Sequence, residues 1–579
     1  MAQTVLPRFH LRKGSAWHDM SEPQEQMLSA ISRTHPRNGI VSGPCAIGKS
    51  AVMVTYAINT YHLCAFFCPT AQGCYQLEQA MREHTTLIPN SQICVYCGKK
   101  KQLPRPPFGF LITTYAMFTD SKSIRNKASK EAREKVLSMP WQGLFFDEAQ
   151  HIPAHTYMTL IQLLLKNSGA RGLAFTATPF RNEFCMSKSR EEHEREAFGW
   201  FAGDNPVIFR ISCRELEQAG LIAKIRRARI NIALPPEFRK AYEMTSGADK
   251  KYIASLNPCK LSMVKAICAT HKAMGQAGIV FVTHLLTARV VGKILGSQWE
   301  IMSGGSAHGE DEAHTPERNN DIVQRFNAGE MDGLICTQVG YSSMDVHRES
   351  CCYLVVVEAD GGIASAAQRL GRVARTKRIA ALDAESEEAL RERRLKHQKI
   401  AKYYDLVTID TEDETAAERR ERLFDVEGYG KEVVIGPDVL LNAAAALGVP
   451  PLYSTLVEQV LLLKEVLQYR TLANVCAEAN AAASKARAPF NNRVKELAEK
   501  KDNSKTGVMK QLFKRQEKRA RAEKEAAAVK AREERRDTID NAPLCAESIE
   551  IFKALNLRIS VLNEAGLIEV VYPPSDDED

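Results

Sequence analysis

Short, continuous apolar runs alternate with longer amphipathic stretches through most of this chain. The runs at 38–41, 65–68, 92–95, 109–112, 144–146 and 172–175 read as strands, and the text between them is long enough for helices, as at 51–58. Runs without polar alternation are buried on both faces, and strands separated by helices pair in parallel. A second block begins near Leu221, with strands at 278–282, 333–337 and 353–357. From about Pro437 the text is Ala/Leu-rich and helical, at 439–447 and 456–469. A strongly basic stretch follows, and a small apolar unit at 549–572 precedes an acidic tail. The pattern predicts an α/β protein with two parallel-sheet lobes and a mostly helical C-terminal extension, divided as 1–220, 221–436 and 437–579. No internal repeat is visible.

Chemistry enters at Gly43-Pro44-Cys45-Ala46-Ile47-Gly48-Lys49-Ser50, between the first strand and the first helix of that alternation. Gly43 and Gly48 allow a tight turn whose N–H groups point at phosphates. Lys49 puts an ammonium on the β- and γ-phosphates, and the Ser50 hydroxyl can ligate Mg²⁺. The helix N-terminus that follows favours the same anion. Leu144-Phe145-Phe146 ends in Asp147-Glu148. An isolated Asp-Glu here would read as a strand end capping the next helix. After a phosphate loop, Asp147 reads as the Mg²⁺ carboxylate and Glu148 as the group that orients or deprotonates the attacking water. These elements make an ATP site. Thr176-Ala177-Thr178 and Gln368-Arg369-Leu370-Gly371-Arg372-Val373-Ala374-Arg375, far downstream, point to a two-lobed motor on nucleic acid.

Composition bounds the rest. The 579 residues suffice for three or four domains. No run of 18 apolar residues and no signal-peptide core is present, so the chain reads as soluble and intracellular, with no membrane partner. Its 15 cysteines are scattered, which suits reduced thiols. Cys94-x-x-Cys97 has no second CxxC, and with Cys64 and Cys68 it reads as buried strand cysteine rather than a zinc site. Net charge is +8, and residues 485–536 alone hold 18 Lys+Arg against 8 Asp+Glu, or +10. That stretch favours a long exposed helix with i,i+4 pairs. It is equally a phosphate-backbone contact, a nuclear-import signal or a solvated helix.

Taken as a set, these motifs resemble the superfamily 2 helicases, and within them the xeroderma pigmentosum group B type, the DNA translocase subunit of TFIIH. The resemblance covers roughly residues 15–435. Ser91–Cys94, Thr113-Thr114-Tyr115, Leu216-Glu217 with Leu221–Lys224, Leu256-Asn257-Pro258 and Gly428-Tyr429-Gly430 support it. It implies two RecA-like lobes with ATP and Mg²⁺ between them, nucleic acid as partner with DNA favoured over RNA, and transcription or repair proteins as associates. Gln24 would contact adenine, and Gln368, Arg372 and Arg375 would reach across the cleft, the arginines as fingers on the γ-phosphate. Thr70, Thr114 and Gly340 would face the nucleic-acid backbone. Thr176 and Thr178 would couple the two sites, as would Asp345 beside the ribose.

Three departures stand out. Gln150 occupies the usual histidine of the DEAQ segment, and Arg181-Asn182-Glu183 replaces an Arg-Glu-Asp triplet. The nucleotide motifs also begin at Gln24, without the long extension of the TFIIH subunit. This favours a stand-alone relative of the kind large DNA viruses carry, acting in a nucleus or a viral compartment. An RNA-directed ATPase, such as a transcript-release factor, shares every motif. A non-catalytic scaffold is the third class, and intact Lys49, Asp147, Glu148, Arg372 and Arg375 speak against it.

Overall fold

A computed structural model describes residues 10–463 apart from 16, 19, 45–46, 89–90, 99, 120–126, 180–187, 246, 304–315, 338–343, 345, 359–362, 377–378, 380–385, 427, 456–457 and 460. Beyond 463 it describes parts of 488–500 and all of 507–540. The expected apolar unit at 549–572, the acidic tail and most of the 456–469 helix lie outside the described residues. The described chain falls into two compact units. One comprises Met1–Ile232, Met263–Gly304 and Thr315–Val449, and the other Ala233–Ser262, Gly305–His314 and Pro450–Asp579.

The first unit holds two sheets. In chain order the first is built from α1 (Glu22–Arg33), β1 (Gly39–Ser42), α2 (Lys49–Thr60), β2 (Leu63–Cys68), α3 (Ala71–His84), β3 (Ile93–Cys97), β4 (Lys100–Lys101), β5 (Gly109–Thr114), α4 (Lys127–Ser138), β6 (Gly143–Asp147), α5 (His155–Ser168), β7 (Arg171–Thr176), α6 (Arg190–Ala202) and β8 (Val207–Arg210). Its strand order is β4-β3-β5-β2-β6-β7-β1-β8, parallel except for the short β4 at one edge. Every residue of β1, β2, β3, β5 and β7 is buried. Alternation sends Phe66, Phe110 and Phe145 to one face, where they stack with centroids 5.1 and 6.4 Å apart. Phe67, Phe146 and Tyr115 stack on the other. Serines start the helices: Ser21, Ser189 and, in the next helix, Ser212 each form a capping box with the residue three positions on.

After α7 (Cys213–Gln218) the second sheet runs through β9 (Lys224–Ile232), α8 (Pro236–Met244), α9 (Ala248–Ser255), α10 (Pro258–Ala273), β10 (Ala277–Phe281), α11 (Leu285–Leu295), β11 (Trp299–Met302), α12 (Pro316–Ala328), β12 (Gly333–Cys336), β13 (Cys351–Val356), α13 (Ile363–Val373), α14 (Glu387–Lys396), β14 (Ile400–Thr408), α15 (Glu412–Val426) and β15 (Glu432–Val434). Its order is β11-β12-β10-β13-β14-β9-β15, and every pairing is parallel. This core carries charge. Arg420 of α15 bonds both carboxylate oxygens of Asp405 on β14 at 2.8 and 2.9 Å, and both side chains are buried. Arg227 of β9 pairs with Glu421 and lies over the Phe424 ring. The described helices beyond it include α16 (Pro437–Ala446) and α17 (Gly507–Asp540). In the second unit, α17 has the i,i+4 pairs Arg519–Glu523 and Arg521–Glu517 expected of an exposed basic helix.

His271, in α10, stacks on Tyr353 at 4.0 Å, with its ring nitrogens 2.6 Å from Gln276 Oε1 and 3.0 Å from the Tyr404 hydroxyl. Burial pulls its pKa down to about 4, so the ring is neutral in the folded protein. The unfolded chain takes up a proton near pH 6.5, while the folded one does not until about pH 4. Stability is therefore full above 6.5 and falls as pH drops toward 4. Between pH 7 and pH 5 the loss should be about 2 kcal/mol. Urea unfolding of the wild type and of His271→Phe at both pH values checks this. The pH-dependent loss should be smaller by that amount in the variant.

Candidate functional site

Strand order explains why residues distant in sequence meet. β1, β7 and β6 are neighbours, so their carboxy ends bring together the phosphate loop, Thr176–Thr178 and Asp147-Glu148. Gly48 caps α2 in the left-handed region, φ +81°, and a Cβ there would collide with the Gln24 amide. Lys49 is buried, and its ammonium donates to the carbonyls of Gly43 (2.8 Å) and Pro44 (3.0 Å). Cys45 and Ala46 lie outside the described residues.

These elements line a cleft of about 1330 Å³. From the first sheet it receives Gln24, Gly48, Lys49, Ser50, Asp147 and Glu148, and from the second Gly371, Arg372 and Arg375. Gln368, on the same helix as Arg372, is buried and is not part of this lining. Arg372 donates to Met344 O at 2.5 Å and Arg375 to Val346 O at 3.2 Å. Those carbonyls flank Asp345, which, like Gly340 and the 181–183 triplet, lies outside the described residues. Burial and the neighbouring Glu148 push the Asp147 carboxyl up to about 7, against the pull of Lys49, a backbone N–H and Arg372. An arginine of the second sheet therefore lies within electrostatic reach of the carboxylate of the first.

A hydrogen-bonded chain runs through the segment that departs from the family pattern. Gln150 donates to Glu148 Oε2 at 3.0 Å, and its own carbonyl lies 2.7 Å from the Thr176 hydroxyl. The Thr178 N–H donates to Thr176 Oγ1 at 3.0 Å. Glu148 itself has φ +50°, unusual for a residue with a Cβ. Behind it, the Tyr115 hydroxyl donates to the Asp147 carbonyl at 2.6 Å. Sequence reasoning named neither Gln150 nor Tyr115 as a working residue. An amide in place of histidine, able to donate and accept at once, was the available signal for the first. Thr70 and Thr114 follow or end the adjacent strands β2 and β5, where Cys68 and Thr114 are register partners. Thr70 accepts the Gly73 N–H as the N-cap of α3, and Thr114 is buried.

Hard oxygen donors suit Mg²⁺, which keeps several waters and takes one or two carboxylates together with substrate phosphates. Ser50 and Asp147 on the cleft wall fit that requirement. Among the described residues no group of three or more His, Cys, Asp or Glu could hold a metal ion. Cys64 and Cys68 sit on β2, and Cys94 and Cys97 on β3, with β5 between the two strands. Three residues apart on a strand, Cys94 and Cys97 point to opposite faces, so the four sulfurs cannot converge.

Comparison with known proteins agrees with this geometry. The ERCC3/RAD25/XPB C-terminal helicase family matches residues 216–495, and the family of the type III restriction enzyme res subunit matches residues 18–181. The chain is similar to the general transcription and DNA repair factor IIH helicase/translocase subunit XPB of Schizosaccharomyces pombe, 24% identical over 77% of this chain and 50% of that protein. Its counterpart in Danio rerio is 25% identical over 71% of this chain and 47% of that protein. The Saccharomyces cerevisiae subunit XPB/SSL2 is 23% identical over 71% and 44%. The chain thus spans about half the length of these curated relatives. Among solved structures, S. cerevisiae Dbp5 bound to RNA and ADP BeF3 is 14% identical, with a TM-score of 0.46 over 74% of this chain and 93% of that one. The nucleotide motifs, the paired parallel sheets and these relatives agree, and over 77% of its length the chain is similar to a superfamily 2 helicase of the XPB type.

Proposed function

We propose that the chain is an ATP-dependent DNA translocase or helicase, with lobes at 1–220 and 221–436 and an appended extension at 437–579. One observation carries the reading. A single cleft is lined by Lys49, Ser50, Asp147 and Glu148 from one sheet and by Arg372 and Arg375 from the other. In this reading the N–H groups of the 43–50 loop receive the phosphates, and Lys49 exchanges its loop carbonyls for the β- and γ-phosphates. Gln24 lies against the adenine. Glu148, held by Gln150, orients the attacking water and takes its proton. Arg372 and Arg375 leave the carbonyls beside Asp345 and stabilise the transferring phosphoryl group, with Gln368 from the same helix. Mg²⁺, held by Ser50 and Asp147, would neutralise charge on the phosphate oxygens.

Thr176, Thr178 and Asp345 link hydrolysis to lobe movement, and Thr70, Thr114 and Gly340 meet the nucleic-acid backbone. The names of the relatives support transcription or repair proteins as partners, and action in the nucleus is part of the same proposal. Among the described residues no helix is long and apolar enough to cross a membrane.

The deciding experiment is ATP hydrolysis by the purified chain alone and with duplex DNA, single-stranded DNA or single-stranded RNA. Strong stimulation by duplex DNA is expected, and stimulation by RNA alone would replace the reading with an RNA-directed ATPase. Lys49→Ala should abolish turnover. Arg372→Ala should bind ATP normally and lose about 10³-fold in kcat, and full stimulated turnover would remove it from the site. Gln150→Ala should lower stimulated kcat about tenfold through misplacement of Glu148. Combined with Thr176→Val in a double-mutant cycle, it should prove non-additive, since both cut one chain of hydrogen bonds. Deleting 507–540, where Lys514, Arg515, Lys518 and Arg519 are exposed, should make DNA affinity less dependent on salt. An unchanged slope would make α17 a solvated helix.

A further inference from the structure

Next to the phosphate loop lies a second, smaller cavity of about 180 Å³, sharing Gln24 and Gly48 with the large cleft. Pro23, Leu221 and Ile222 give it apolar walls, and Arg394 of α14 contributes a charged one. No aromatic ring is among the described residues that line it. The Gln24 carbonyl already accepts from the Ser21 N–H at 2.8 Å, and its amide nitrogen reaches toward Gly48 O at 3.5 Å. Its capacity to read a base is therefore largely committed to capping α1. Arg394 is half-buried and makes no hydrogen bond or ion pair with any described residue.

The helix that carries Arg394 is firmly seated. Gln398, just beyond it, donates to Glu217 O at 2.8 Å and to Ile222 O at 2.7 Å, and Arg391 donates to Gln218 O at 3.3 Å. Close approach depends on Gly220, with φ +69°, where a Cβ would come 2.8 Å from Arg394 Cβ. The result is a preformed slot with apolar and polar walls at the end of a phosphate loop, with one planar cation that has no side-chain partner among the described residues. A guanidinium offers both a flat face for stacking and fixed donors for ring nitrogens.

We propose that Arg394 binds the base of the nucleotide, with its guanidinium forming one face of a purine subsite in this cavity. The inference rests on the ATPase reading above. kcat and KM for ATP, and the inhibition constant of inorganic tripolyphosphate, which has no base, are measured for the intact protein and for Arg394→Ala. KM for ATP should rise about tenfold, the size of one desolvated cation–ring contact. kcat and tripolyphosphate inhibition should not change. Arg394→Lys keeps the charge without the plane, and its KM should stay raised. An unchanged KM in Arg394→Ala would overturn the inference. So would an equal weakening of tripolyphosphate, which would mean a distorted loop, or full rescue by lysine. Absence of nucleotide hydrolysis by the intact protein would overturn the ATPase reading, and this inference with it, whatever Arg394 does.

Discussion

A strand covered on both faces has no solvent-facing side on which to carry catalytic charge, and most of the first sheet consists of such strands. Its polar chemistry is therefore displaced past the carboxy ends, where helices begin and N–H groups are free. With β1, β7 and β6 adjacent, neighbouring strand ends lie about 4.8 Å apart, close enough for three separated segments to share one ligand. Insert another strand between β1 and β6 and the carboxylates would lose the loop. The second sheet obeys the same rule, sending the chain beyond β13 into α13 and its arginines. Register and strand order fix the site before any individual side chain does.

Within that frame the charges of the cleft fall into two groups. Lys49 and Arg372, the two cations nearest the chemistry, rest on backbone carbonyls. Burial, with Glu148 close beside it, makes the Asp147 carboxyl easier to protonate. The triphosphate and cation of the proposed function would answer both conditions, giving the ammonium and guanidinium stronger acceptors and the carboxylates a counter-charge. Glu148 sits in left-handed backbone, which costs of order 1–3 kcal/mol. Gln150 on one side and the Tyr115 bond to Asp147 O on the other hold it there. Among the non-glycine residues that line the cleft, this strain falls on Glu148, which the proposed function assigns to orienting the water.

Strands rich in Phe, Ile and Val were legible because burial on both faces leaves an unbroken apolar run. β1, β2, β3, β5, β6, β7, β10, β12 and β13 all fall on runs visible in the sequence. β9 and β14 were not visible in the same way. Lys224-Ile225-Arg226-Arg227-Ala228-Arg229 reads as solvated text, yet Arg227 is buried, its charge met by Glu421 nearly two hundred residues away and its plane by Phe424. A partner so remote cannot be inferred from local period. The site shows the same division. Gly43, Gly48, Lys49, Ser50, Asp147 and Glu148 stand in local motifs whose spacing could be read directly. Gln150 acts through Thr176, Tyr115 through a backbone carbonyl, and Arg394 stands beside the loop by virtue of tertiary packing alone.

The charged core of the second sheet also bears on how the arginines can move. Breaking the Asp405–Arg420 pair by removing one partner would strand a buried charge, at a cost of about 3–5 kcal/mol. β14 and α15 are therefore held as one piece, and β9 joins them through Arg227 and its long register with β14. A piece tied in this way shifts as a body rather than by bending its strands. In the proposed reading, the adjustment that brings Arg372 toward phosphate would fall on the segment between β8 and β9. That segment is itself tied to the second sheet by the bonds of Gln398 to Glu217 O and Ile222 O, so it travels with α14. The remaining freedom lies at its other end, around Ile211 and Ser212, where the chain leaves β8. There Ile211 N–H still bonds Ser42 O beside the phosphate loop. A hinge there would lie one strand away from the phosphate loop, because β8 pairs directly with β1.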